Sequence, residues 1–342
     1  MNEVTASSIQ AQIAKGLFHP NVVLTNMTMA YYQALDAYVA KQLFPILPVQ
    51  LSTAAYYVFE RADLARDNVR RKPALGRVAP TVISNHLETY SVAIDQIILG
   101  IDQIAQTNIQ RQPVPGASDP RKAKTRTIAE QMNIHQDIVF ANGFFKPGVW
   151  TDEWTGGEAY TPDSHAFIKF SDANCDPIKL FDDLRTRMKK KGRRAPNKLG
   201  LGEDAFNALK ENPIILDHVK YGGSTANPAI VNENVLAEMF GLQKVAVFGS
   251  TYNAAKFGAP EDMEFICDPA SALLVYATDS PAVDEPSAGY MFTWDMLGDG
   301  NYMPVLQYPG ENGTHSEFIE GLMGVSTKKT ADDLGIFLKG CV

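Results

Sequence analysis

From about Val23 to Leu43 apolar residues recur every three to four positions, with Met29, Tyr32, Leu35, Tyr38 and Val39 forming one stripe, and this spacing predicts a helix. It stops at Phe44-Pro45-Ile46-Leu47-Pro48, where two prolines force an extended path. The period then changes. Residues 54–60, AAYYVFE, are rich in Tyr, Val and Phe and read as a strand; Thr89-Tyr90-Ser91-Val92-Ala93-Ile94 alternates again and reads as the strand that returns. Between them, Arg61 to Arg77 is strongly charged and holds almost nothing to bury. Residues 51–93 therefore read as a long two-stranded arm with a charged tip. A lone ribbon of this kind is marginal in water, so it is expected to lie on another surface.

Helical spacing resumes at Ser118-Asp119-Pro120, an N-cap followed by proline at the first helical position, and continues through Ile128, Met132, His135 and Val139 to Asn142-Gly143. About 24 residues at ~1.5 Å rise make one helix of roughly 36 Å. His135 falls on its apolar side, which predicts a buried, hydrogen-bonded imidazole. Residues 144–174 are rich in Gly, Trp, Thr and Asp and read as loop with short strands. Asp176-Pro177 opens another helix, with Ile178, Phe181, Leu184 and Met188 on one face and Gly192 at its end. Shorter helices are expected near 203–210, 213–219 and 232–240. The compact apolar runs 244–248 and 272–276 read as buried strands, and strand-like pieces follow at 289–294, 302–308, 316–325 and 334–338. The fold class is α+β, without internal repeats.

Composition narrows the picture. A chain of 342 residues with 45% hydrophobic content can bury a core without covalent staples. Cys175, Cys267 and Cys341 are far apart with no CxxC pair, so no disulfide framework or zinc site is written in their spacing, and a reducing intracellular setting is expected. Neither a secretion signal nor a run of about 18 apolar residues is found, so no membrane association is expected. The net charge of −8 argues against a broad grip on phosphate backbones. One basic run, Arg185 to Arg194, reads as the cationic end of a helix.

Candidate chemistry is sparse. Gly200-x-Gly202-x-x-Ala205 has the spacing of a dinucleotide-binding turn. The preceding Ala195-Pro196-Asn197-Lys198-Leu199 is too polar and short for a central parallel strand, and Glu203 and Asp204 would repel a pyrophosphate. The structural reading, an acid-favoured helix start, explains more residues. The six histidines are dispersed, with no pair spaced for a metal. Glu60 with Asp63, and Asp332 with Asp333, read as solvated faces rather than acid/base couples. No catalytic, cofactor-binding or metal residue is assigned, and no cofactor is expected.

The order of elements is itself distinctive. A short N-terminal arm, "LFPILPV", the charged hairpin "YYVFERADLARDNVRRKPALGRVAP" and a long helix follow one another. "SDANCDPIKLFDDLRTRMKKKGRRAPNKLGLGEDAFNALKENPII", "FGLQKVAVFGSTYNAAKFG" and "PSAGYMFTWD" come after them. From about residue 20 onward this succession resembles the major capsid proteins of tailed bacteriophages with the Hong Kong 97-type fold. The resemblance implies an N-terminal arm over 1–50 and an extended loop over 51–93 that lies on a neighbouring subunit. It implies a peripheral domain over 94–194 built on the spine helix at about 119–142. An axial domain over 195–300 and C-terminal strands over 301–342 that complete the peripheral domain would follow. It further implies a structural, non-enzymatic subunit assembling into pentamers and hexamers around double-stranded DNA in a virion built in the host cytoplasm. Portal and decoration proteins are partners of that setting. The N-terminal arm is too short for a built-in scaffolding segment, so a separate scaffolding protein, or none, is expected. Lys72 is the one lysine of the loop and no pattern gives it a crosslinking partner, so no covalent crosslinking is expected. Arg66, Asp67, Arg70, Arg71 and Lys72 are the residues expected to make intersubunit charge pairs. Two alternatives stand beside this one: a dinucleotide-dependent oxidoreductase using the Gly200-x-Gly202 turn, and a cellular encapsulating shell of the same fold.

Overall fold

The computed structural model describes residues 33, 35–59, 65–72, 74–81, 85–111, 120–222, 231–279, 285–295 and 301–342. The chain starts there with a short helix α1 (Ala40–Leu43) and strand β1 (Ile46–Val49). The arm strands β2 (Thr53–Phe59) and β3 (Asn85–Ser91) come next, then β4 (Ile94–Asp102), α2 (Gln103–Arg111) and the long α3 (Pro120–Phe144). After β5 (Glu153–Gly157) and β6 (Ala166–Ile168) stand α4 (Pro177–Gly192), β7 (Lys198–Gly202), α5 (Glu203–Glu211), α6 (Pro213–Gly222) and α7 (Glu233–Met239). The remainder is strand: β8 (Lys244–Phe248), β9 (Thr251–Asn253), β10 (Met263–Phe265), β11 (Ala272–Val275), β12 (Gly289–Trp294), β13 (Val305–Pro309), β14 (Ser316–Lys329) and β15 (Gly335–Lys339).

Most expected elements are present within two or three residues at their ends. The short strands expected within the loop-rich stretch 144–174 are β5 and β6, which pair with each other, and β5 also pairs with the distant β15. Two differences have physical causes. The strand β4 and helix α2 were not foreseen, although Gln96, Ile98, Gly100 and Asp102 are exposed while Ile97, Leu99 and Ile101 turn inward, the alternation of a one-faced strand. Of the helix expected over 23–43, only a 3₁₀ turn at Leu35–Ala37 and α1 fall among the described residues; Met29, Tyr32, Ser118 and Asp119 lie outside them.

The chain divides into two compact units. The first contains residues 96–132 and 303–322, and its described sheet pairs β13 with the first part of β14, register Val305↔Gly321 to Pro309↔Glu317, with β4 also paired to β14. The first turns of α3 pack tightly here. A Cβ on Gly321 would stand 2.4 Å from Ile128 and 3.0 Å from Met132, so the glycine lets helix and strand approach. Arg121 Nη2 lies 2.8 Å from Glu317 Oε2 beside this packing.

The second unit contains residues 34–95, 133–302 and 323–342. Its six-stranded sheet runs β6-β5-β15-β11-β7-β8. One face places Leu199, Leu201, Val245, Leu274, Ile336 and Leu338 in a common core with Leu184 and Met188 of α4, Leu209 of α5, Ile215 of α6 and Leu236 of α7. The other face is aromatic. Phe337 meets Phe145 edge-on with ring centres 5.6 Å apart, and Phe248 stacks on Phe140 at 5.1 Å. Being covered on both faces, the strands read as unbroken apolar runs. The last strand, grouped in sequence with the C-terminal part of a peripheral domain, is hydrogen-bonded here between β11 and β5, inside the same sheet as β7 and β8.

The basic run of α4 does more than end a helix. Arg187 Nε and Lys191 Nζ reach Asp152 Oδ2 at 2.8 and 2.7 Å, and Trp154 Nε1 donates to Asp152 Oδ1 at 3.1 Å. Burial pushes this carboxyl up, but the bonds from Arg187 and Lys191 outweigh it and hold it below the usual carboxylate range. Gly192 is not the left-handed cap its position suggested. That role falls to Arg193 at φ 61°, while a Cβ on Gly192 would stand 2.5 Å from Leu334.

The aromatic face fixes α1. Phe44 is fully buried and stacks on Phe144 at 4.2 Å, with Phe140 at 6.0 Å. Phe44→Ala is expected to destabilise the folded subunit by about 3–5 kcal/mol, the usual result of emptying a buried aromatic site. Denaturant titration checks it, and an unchanged midpoint would contradict the packing described.

Candidate functional site: a two-stranded arm

The arm consists of β2 and β3 paired antiparallel in register from Thr53↔Ser91 to Phe59↔Asn85, and among the described residues no third strand joins them. At its base the pairing is closed by Val92 N donating to Ser52 O at 2.8 Å. Tyr90 stacks on Phe292 of β12 at 4.6 Å with the rings 9° from parallel. Tyr56 leans on the same ring at 6.1 Å and donates its hydroxyl to Glu88 Oε2 at 3.0 Å. Burial, together with that carboxylate, pushes the Tyr56 hydroxyl up. Lys328 Nζ stands 3.5 Å from Glu88 on the other side.

Beyond the base, burial ends. Arg66, Asp67, Arg70, Arg71 and Lys72 are all exposed, as are Val69 and Leu75. None of the five charged residues forms an ion pair with another described residue; Asp67 Oδ1 accepts the backbone N–H of Val69 at 3.0 Å, a local turn. Leu75 sits at φ 62°, in the left-handed region that a branched side chain occupies at a cost, with its apolar side chain wholly in water. Glu60 and Asp63 lie outside the described residues.

The root of the arm is pinned. α1 leads into β1, which pairs in parallel with β12 from Ile46↔Met291 to Val49↔Trp294. A buried carboxylate on α3, Asp137, accepts the Ser250 hydroxyl at 2.8 Å and a backbone hydrogen bond from Ala40. Sequence reading overlooked Asp137, and its place one turn of helix before Ala141 on an apolar stripe was the available signal. It expected a buried His135 instead. His135 is half-exposed, with Nε2 3.1 Å from Asp95 Oδ2, because its side of the helix turns toward the solvent edge.

The glycine turn at 200–205 has no seat for a pyrophosphate. Against expectation, β7 is a central buried strand, parallel to β8 and antiparallel to β11. Its glycines serve packing: a Cβ on Gly200 would meet Phe248 at 2.7 Å, and one on Gly202 would meet the Asp268 and Pro269 carbonyls at 2.4 Å. Lys198, the polar residue that argued against a strand, is held by Asp279 at 2.6 Å. Two amides of the turn are already engaged, Gly202 N with Ser271 O at 2.9 Å and Ala205 N with Pro269 O at 3.0 Å. Asp332, expected on a solvated face, accepts from Lys329 Nζ at 2.7 Å and Thr151 N at 3.2 Å. Among the described residues no group of three His, Cys, Asp or Glu could hold a metal ion, and no helix is long and apolar enough to cross a membrane.

No protein-family model matches the chain. In sequence it is similar to the major capsid protein of Burkholderia phage BcepMu, 23% identical over 240 residues that cover 67% of this chain and 69% of that protein. In structure it is similar to a phage-related protein of Bordetella bronchiseptica RB50, with a TM-score of 0.65 at 16% identity, covering 94% of this chain and 97% of the other. The mature capsid of bacteriophage PhiM1 is similar at a TM-score of 0.52 and 12% identity, covering 91% and 88%. The chain has the Hong Kong 97-type α+β fold of phage capsid subunits. Within that class its likeness is to the major capsid protein of a tailed phage.

Asp137 gives this site a pH dependence. Burial pushes its carboxyl up to about 6 from 3.8, against the pull of Ser250, Ala40 and Lys41. The folded state therefore holds the proton more tightly than the unfolded one, and its stability rises as pH falls through about 6 toward 4, by about 3 kcal/mol at most. Asp137→Asn is expected to raise the thermal midpoint at pH 8 and to flatten its pH dependence between about pH 4 and 7. A variant that follows the native curve in both respects contradicts this.

Proposed function

We propose that the chain is the major structural subunit of an icosahedral phage shell, assembling into pentamers and hexamers around double-stranded DNA. The observation that carries the proposal is the arm. It is anchored at its base by aromatic stacking, yet from residue 65 to 81 nearly every described side chain is exposed. Such a ribbon is stabilised by burial it does not find in its own unit, and identical neighbours offer the same surface repeatedly around a closed ring. Likeness to phage capsid proteins in sequence and fold supports the same conclusion.

On this reading residues 1–50 are the N-terminal arm and 51–93 the extended loop. Residues 94–194, with the spine helix, and the C-terminal strands β13 and β14 make the peripheral domain, and 195–300 the axial domain, whose sheet the last strand β15 joins. The subunit assembles in the host cytoplasm and resides in the virion, with portal and decoration proteins as further partners and either a separate scaffolding protein or none. The acidic balance suits an inner wall from which DNA can leave.

Arg66, Asp67, Arg70, Arg71 and Lys72 meet opposite charges on the neighbouring subunit. Single exposed pairs contribute only ~0–1 kcal/mol, so their effect is in register and repetition. Arg70→Glu with Arg71→Glu is expected to leave the subunit folded, with an unchanged circular dichroism spectrum and melting curve, and to abolish particles in negative-stain images. Normal particle yield from the double variant would reject the assignment.

A further inference from the structure

A second exposed ribbon projects from the six-stranded sheet just after β8. β9 and β10 pair antiparallel from Thr251↔Phe265 to Asn253↔Met263, and among the described residues no further strand joins them. Its connecting loop is built, not loose. Asn253 Oδ1 accepts the N–H groups of Ala255 and Asp262 at 2.9 and 3.0 Å, Ala254 N donates to Asp262 O at 2.8 Å, and Gly258 takes the turn at φ 89°. This ordered loop holds Phe257 wholly in water, with Met263 and Phe265 exposed on the following strand. A large aromatic held rigidly outside the fold costs little side-chain entropy on docking and is the residue type that anchors interfaces.

We propose that this ribbon docks on a second copy of the chain, with Phe257 as its anchor, against the exposed end of that copy's α4. Charge selects the occupant. Glu261, Asp262 and Glu264 flank the apolar residues with Lys256 as the ribbon's one cation, and all four are exposed. The chain's strongest basic stretch is Arg185 to Arg194, which contains no acid. Asp152 engages Arg187 and Lys191 of that stretch, while Lys189 and Lys190 stand exposed on the final turn of α4. An acidic, aromatic-tipped ribbon and a basic helix end on one molecule make a heterologous pair, which forms a ring where the rotation between copies closes. The arm and this ribbon would then be separate contacts, the arm reaching across neighbours and the ribbon joining copies within one ring.

The inference rests on the shell reading, and the test separates the two. The full chain is expressed as native sequence and as Phe257→Ser, Glu261→Lys/Glu264→Lys, Lys189→Glu/Lys190→Glu and the combination of both charge reversals. The fraction of subunit in particles is read by sedimentation, with melting curves confirming folded subunits. Phe257→Ser and each reversal alone are expected to lower that fraction about tenfold or more, and the combined reversal to restore it. Two results overturn the ribbon contact while leaving the shell intact: variants that assemble like native protein, or lysine reversals that assemble normally but package less DNA. A native chain that never leaves the monomer overturns both.

Discussion

A two-stranded ribbon has no interior, and this constraint organises the molecule. The strands β2 and β3 are anchored at their base, where Tyr90 and Tyr56 both pack on the ring of Phe292. β12 carries Phe292 and also pairs with β1, the strand through which the chain enters the arm. β1 in turn follows Phe44, which is stacked beneath α3. The arm is thus a lever with a fixed root and a surface that the rest of its unit leaves in water.

The six-stranded sheet provides the fixed end. Its two covered faces commit one side to the helices α4 to α7 and the other to the aromatic layer under α3. Asp137 adds a polar pin to that layer, tying α3 to Ala40 and Ser250. A buried carboxylate of this kind is retained at a cost in stability near neutral pH, and the hydrogen bonds it accepts fix the position of the arm's root. The arm tip and the β9–β10 ribbon both stand exposed.

Much of this was legible in the sequence because burial on one or both faces writes a period into the chain. The strands 244–248 and 289–294 and the helix from 120 follow directly from it. The charged tip was legible for the opposite reason, since Arg66 to Lys72 offered nothing to bury. What escaped reading depends on partners distant in sequence. β7 looked too polar until Asp279 supplied a counter-ion for Lys198. Its glycines imitated a phosphate loop because close packing and phosphate approach both require a residue without a side chain. His135 and Asp137 lie two positions apart on one helix, and which of them is buried depends on elements that follow more than a hundred residues later.

The central claim is that the arm tip is exposed in the free subunit and covered in the shell. The direct measurement is the maleimide labelling rate of Leu75→Cys. Its background is low, because Cys175, Cys267 and Cys341 are buried and burial pushes their thiols up. The account predicts fast labelling of free subunits and labelling about tenfold slower or more in assembled particles. Equal rates in the two states would contradict it.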